Sequence, residues 1–134
     1  MRVVLDNNIF VSGIFWSGDS ERILYKWKEG EFTLISATEI ILELIKVLNN
    51  FKVKLENEIL KYWIDLIVTN SELVLIKNEL KIIKEDETDN KFIEVAVTGD
   101  ADYIVTQDNH LLNLKEYKGI KIINPTEFLE VLEK

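Results

Sequence analysis

Short β-rich apolar runs alternate along this chain with longer segments of helical period, and that alternation limits the fold more than any other feature. Val3–Leu5, Phe32–Ile35, Leu73–Ile76, Tyr103–Thr106 and Ile120–Ile123 read as strands. Ser20–Lys28, Glu56–Val68, Asp89–Val97 and Thr126–Leu132 carry apolar residues three and four apart, as does the run Ile40, Ile41, Leu44, Ile45 and Leu48. A shorter helical piece is expected around Leu111–Leu114. Ser36 followed by Glu39 has the spacing of a capping box, and Pro125 suits the first turn of the last helix. Strands that alternate with helices imply a parallel sheet covered on both faces. The expected fold is therefore three-layer α/β/α, with a central parallel sheet of about five strands. Right-handed crossovers suit the order 3-2-1-4-5. At 134 residues the chain is one domain's worth, spanning 1–134.

Composition removes several kinds of chemistry. The absence of cysteine excludes disulfides, thiolate catalysis and zinc–sulfur sites. No signal peptide or bilayer-length apolar run is read, so a cytoplasmic protein without a membrane partner is expected. A net charge of −8 argues against a protein that grips duplex DNA by its phosphates alone. It leaves room for acids that work beside divalent cations, which reverse the local potential.

The placement of the acids is more specific. Ligands of open α/β sheets bind beyond the carboxyl ends of the strands, where strand order reverses. Asp6 directly follows the first strand and Asp108 follows the Tyr103–Thr106 strand after one residue. Asp89 starts the helix that feeds that strand, which puts it at the same end of the sheet. Glu43 borders the apolar face of its helix, where an acid needs a partner or a metal, and Glu39 lies one turn earlier. Acids converging from separate segments repel unless a hard cation such as Mg²⁺ or Mn²⁺ joins them through oxygen. Each has a plainer reading: Asp89 as a helix cap, Asp108-Asn109 as a turn pair, Glu39 as the capping-box acid. Asp102 precedes its strand and is expected to be structural, Asp86 stands in the loop before Asp89, and His110 has no triad to join. Trp16, Trp27 and Trp63 read as core or partner contacts, with Phe15-Trp16 in a loop near Asp6.

Taken in order, Val3-Val4-Leu5-Asp6-Asn7-Asn8, Glu43-Leu44 with Val47-Leu48, Asp86 through Asp89-Asn90-Lys91-Phe92, and Ala101-Asp102-Tyr103-Ile104-Val105-Thr106 with Asp108 resemble the PIN-domain family. The nearest subgroup is the small single-domain toxin components of toxin–antitoxin systems (VapC-like ribonucleases). The resemblance runs through the closing Ile123-Asn124-Pro125-Thr126-Glu127-Phe128. It implies Mg²⁺- or Mn²⁺-dependent hydrolysis of single-stranded or structured RNA at Asp6, Glu43, Asp89 and Asp108, with Asn8 and Thr106 in support. A homodimer and a small antitoxin partner are also implied. Asn7 stands where many relatives carry threonine, and Gln107 where this subgroup often has glycine. A catalytically idle binding module of the same fold is the non-enzymatic alternative. A haloacid-dehalogenase phosphotransfer domain would want an acid where Asn8 stands, and a receiver domain would want a phosphoacceptor Asp after the third strand, where Ile76-Lys77-Asn78 has none.

Overall fold

The computed structural model describes residues 1–77 and 87–134, with residues 87–89 described by backbone alone. In chain order the elements are β1 (Arg2–Leu5), α1 (Asn7–Phe15), α2 (Asp19–Lys28), β2 (Thr33–Ser36), α3 (Thr38–Asn50), α4 (Asn57–Thr69) and β3 (Ser71–Leu73). They continue with α5 (Glu87–Thr98), β4 (Tyr103–Val105), α6 (Asn109–Leu112), β5 (Glu116–Tyr117), β6 (Ile120–Ile123) and α7 (Pro125–Leu132). The sheet runs β3-β2-β1-β4-β6-β5, parallel throughout except for β5 against β6. The expected α/β/α layering and the order of the five parallel strands are both observed.

Why the sheet is covered on both sides follows from the twofold repeat of strand side chains. Val3 and Leu5 enter one apolar cluster while Val4 enters another; Leu34 and Ile35 divide the same way, as do Val105 and Ile104. The first cluster gathers α1, α2, α3, α4 and α7 around Phe10, Leu24, Trp27, Leu44, Ile67 and Phe128. The second packs Phe92, Ile93 and Ala96 of α5 and Leu111 of α6 onto Val4, Ile35, Ile104 and Ile122. Each such fully buried aliphatic side chain stabilises by about 1.5–3 kcal/mol relative to exposure. Asp102 is structural, as expected: its carboxylate accepts the Arg2 amide at 2.8 Å at the amino end of the sheet. Arg2 Nε donates to the Gly99 carbonyl there, and its guanidinium pairs with Glu72.

Several local expectations are corrected. The expectation puts Phe15-Trp16 in a loop and no helix before Ser20, yet α1 forms across Asn7, Asn8, Ser12 and Gly13, all poor helix formers. It forms because Asp6 caps it and because Ile9, Phe10 and Gly13 line one buried face. Phe15 accordingly ends a helix and stacks on Phe51 with ring centroids 4.3 Å apart, while Trp16 is the exposed C-cap. The third strand is Ser71–Leu73 rather than Leu73–Ile76, a short edge segment whose last ladder contact is the Val74 amide on the Ser36 carbonyl. The capping box read at Ser36 and Glu39 does not form: Ser36 closes β2, Ala37 is the N-cap of α3, and Glu39 is exposed. The reciprocal box stands instead at Asn124 and Glu127. An added strand, β5, hairpins onto β6 through Lys118-Gly119, both with positive φ as a type I′ turn requires.

Helices α1 and α2 meet closely at Gly13. A Cβ there would lie 2.9 Å from the Ser20 carbonyl oxygen and 2.6 Å from Leu24 Cδ1. The leucine can move but the backbone carbonyl cannot. Helix propensity favours alanine over glycine by up to about 1 kcal/mol, and overpacking costs roughly 1–3 kcal/mol. Gly13→Ala is therefore expected to lower the urea midpoint at unchanged m-value; a midpoint equal to or above the parent's would show that the contact yields.

Candidate functional site

Parallel pairing of β1 with β4, Leu5 opposite Val105, brings the two strand ends level. The next residues, Asp6 and Thr106, are consequently neighbours, and the Asp6 amide donates to the Val105 carbonyl at 3.0 Å. Thr106 is fully buried and its hydroxyl donates to Asp6 Oδ2 at 2.7 Å. The same hydroxyl oxygen accepts the Asp108 amide at 3.0 Å. One threonine thus ties together the carboxylate that ends β1 and the backbone of the acid beyond β4. Asp6 also caps α1 by accepting the Asn8 amide at 3.3 Å, and Asp108 caps α6 by accepting the His110 amide at 2.8 Å. His110 itself is exposed, with Nδ1 3.8 Å from Asp108 Oδ1.

Only 5 % of Asp6 remains exposed, which is uncommon for an ionisable side chain. Burial pushes its pKa above the ordinary value, and the negative charge of Asp108 pushes it the same way. The Thr106 hydroxyl and the Asn8 and Asn7 amides pull in the opposite direction without cancelling the rise.

The remaining acids are placed less uniformly. Glu43 is exposed on α3 and lines a groove of about 800 Å³ with Leu42, Lys46, Val47 and Asn50. The start of its helix is tied to the site by Asn7, whose Nδ2 donates to the Ile40 carbonyl at 3.3 Å, one turn before Glu43. Asp89 lies in the first turn of α5, at the carboxyl end of the sheet because helix and strands run antiparallel; its side chain is outside the described residues. Asp86 is also outside them. Among the described residues, no three His, Cys, Asp or Glu side chains gather into a metal-binding group. Asp6, Thr106 and Asp108 are brought together, and Asn8 joins them through its backbone.

Two features went unread in the sequence. Asn7 Oδ1 is buried without a hydrogen-bond partner among the described residues, directly beside Asp6. Asn90 and Glu94 are buried polar residues one turn apart on α5. Their four-residue spacing amid Phe92, Ile93, Val95 and Ala96 was the available signal.

A raised carboxylate pKa sets the sign of a pH effect. Asp6 holds its proton more tightly folded than unfolded, so its burial is uncostly below the ordinary value of 3.8 and destabilises as pH rises through the raised value. Without divalent metal, Asp6→Asn is expected to melt at higher temperature than the parent at neutral pH, and the gap is expected to close toward pH 3.8. A variant that melts lower at neutral pH would contradict this electrostatic account.

Residues 2–110 match the PIN domain, a nuclease-type fold. An uncharacterized protein of Methanocaldococcus jannaschii is 33% identical, with 100% of this chain and 93% of that protein covered. With a parallel sheet of the matching order and an acid pair at its carboxyl rim, this chain belongs to the PIN-domain family.

Proposed function

We propose that the protein is a metal-dependent endoribonuclease that hydrolyses RNA phosphodiester bonds. Asp6, Glu43, Asp89 and Asp108 are its acids on this reading, and Asn8 and Thr106 support them. The observation that carries it is the buried Asp6 carboxylate held by Thr106, which also receives the Asp108 amide. A sheet needs no such acid to end a strand, and the pair costs stability as it stands.

The donor chemistry fits a hard divalent cation. The rim offers carboxylate oxygen, thiolates are absent, and burial, with the charge of Asp108 adding to it, raises the Asp6 pKa. Asn7, the residue after Asp6, keeps a buried Oδ1 without a partner among the described residues. Asp6 and Asp108 are the residues that would hold Mg²⁺ or Mn²⁺, with Glu43 and Asp89 completing the site. Such an ion supplies a water of lowered pKa and neutralises charge gathering on the phosphate. Thr106 orients Asp6 and fixes the backbone of Asp108, while capping by Asp6 holds its carboxylate against the start of α1.

The biological setting we infer is that of a toxin in a toxin–antitoxin pair, acting as a homodimer and restrained by a small antitoxin. Family membership supports this setting. A neighbouring reading frame encoding a small DNA-binding protein would add to it.

Cleavage of single-stranded RNA with Mg²⁺ or Mn²⁺ tests the chemistry. Parent protein is expected to cut and Asp6→Asn to be inactive; equal cleavage by both would end the assignment. Adding either metal should raise the melting temperature of the parent by mass action and leave Asp6→Asn unmoved. Thr106→Val removes the shared hydroxyl, and its activity is expected to fall roughly 10–100-fold while Thr106→Ser retains most of it. Equal losses in the two would make the residue a matter of packing alone.

A further inference from the structure

Next to the acid pair lies a polar cavity of about 440 Å³, within the roughly 300–1,000 Å³ typical of small-molecule sites. Gln107 beyond β4, Asn124 beyond β6, Ser12 on α1 and the first turn of α2 wall it at the carboxyl end of the sheet. Gln107 stands between Thr106 and Asp108, so the cavity and the acids share one backbone segment.

The mouth of α2 is unusual. Its N-cap is Gly18, at a φ of 138°, and no side chain caps its first amides. Ser20, in the same turn, lines the cavity and is only 4 % exposed, yet its Oγ has no hydrogen-bond partner among the described residues. A buried hydroxyl left so is desolvated without compensation.

Charge decides what kind of ligand. Among the described residues, the ionisable ones in the lining are Asp19 and Glu21, with no lysine or arginine. Asp19 accepts the Thr126 hydroxyl at 2.7 Å and sits 3.8 Å from Arg22. These acids already answer the positive end of the α2 dipole, so a phosphate entering here would meet two carboxylates. A nucleoside carries no charge and presents ribose hydroxyls, ring nitrogens and exocyclic groups. Those match the side-chain amide of Gln107, the Asn124 Nδ2 donor left beside its capping oxygen, and the hydroxyls of Ser12 and Ser17.

We infer that this cavity is a nucleoside subsite, which takes the ribose and base of a nucleotide adjoining the phosphodiester at Asp6 and Asp108. The inference rests on the ribonuclease reading. Its probes are the four ribonucleosides and, separately, inorganic phosphate, added to Asp6→Asn protein while the side-chain amide signals of Gln107 and Asn124 are followed by NMR. Nucleosides are expected to shift both signals and phosphate to leave them in place. Ser17→Phe, which fills the cavity from an exposed position, should abolish those shifts and raise KM for RNA several-fold with little change in kcat. Gln107→Ala should raise KM in the same direction and keeps the test open if the phenylalanine disturbs folding. Absent nucleoside shifts, shifts caused by phosphate, or an unchanged KM in the variants would overturn the subsite. Failure of the parent to cleave RNA with metal would sink the ribonuclease reading instead, and nucleoside shifts seen in that case would leave a nucleoside site without the chemistry.

Discussion

The hydrogen bond from the Thr106 hydroxyl to Asp6 Oδ2 joins the ends of β1 and β4, the two strands at the centre of the sheet. Carboxylate burial at that point is costly on its own, and the hydroxyl offsets part of the cost. Because the same oxygen accepts the Asp108 amide, the geometry of β1, β4 and the turn after β4 is settled by one side chain. Asp6 in turn caps α1, so the helix direction is coupled to the carboxylate. Strand register, helix entry and acid placement are therefore one problem, solved at one residue pair.

The two faces of the sheet contribute differently to that solution. On one side α1, α2 and α7 bring their N-terminal turns to the rim, and the close approach at Gly13 sets how tightly the first two sit. On the other, α5 and α6 pack mainly through small or aliphatic side chains onto Val4 and Ile104. The rim is thus walled by helix starts on one face and by the beginning of α5 on the other. Backbone amides and capping side chains are concentrated where substrate would approach. Arg2, Asp102 and Glu72 stitch the amino end, far from any of this.

Hydrophobic periodicity was sufficient for the layers, because Val3-Val4-Leu5 and Ile104-Val105 must bury both faces and only helices on both sides allow it. It also placed Asp6 and Asp108 beyond neighbouring strand ends, since that position follows from strand assignment alone. Periodicity failed where the driving force is not apolar. Helix α1 depends on a cap and on tertiary burial of Ile9 and Phe10 against poor local propensity. Strand β5 depends on positive φ at Lys118, a residue that does not announce a turn. The Ser36–Glu39 spacing misled because Ser36 was needed to finish a strand. The unpartnered Asn7 Oδ1 and Ser20 Oγ were invisible for a different reason: a missing hydrogen bond is a property of surroundings, which no residue spacing encodes.

Charge imposes one more constraint on the proposed reading. The chain carries 24 acidic against 16 basic residues, and two of the acids, buried Asp6 and partly exposed Asp108, stand together at the rim. Single-stranded RNA gains affinity from counterion release at about 0.7 per neutralised phosphate in the salt exponent, a term available only where lysine or arginine meets the backbone. Among the described residues, the cavity beside Asp108 has no such residue in its lining. Recognition there falls to neutral groups that bind ribose and base. On that reading, repulsion between Asp6, Asp108 and the scissile phosphate is left to a divalent cation. An acidic surface and an RNA substrate are compatible on those terms: the part of the substrate that is read is its uncharged part, and the charged part approaches only where metal compensates it.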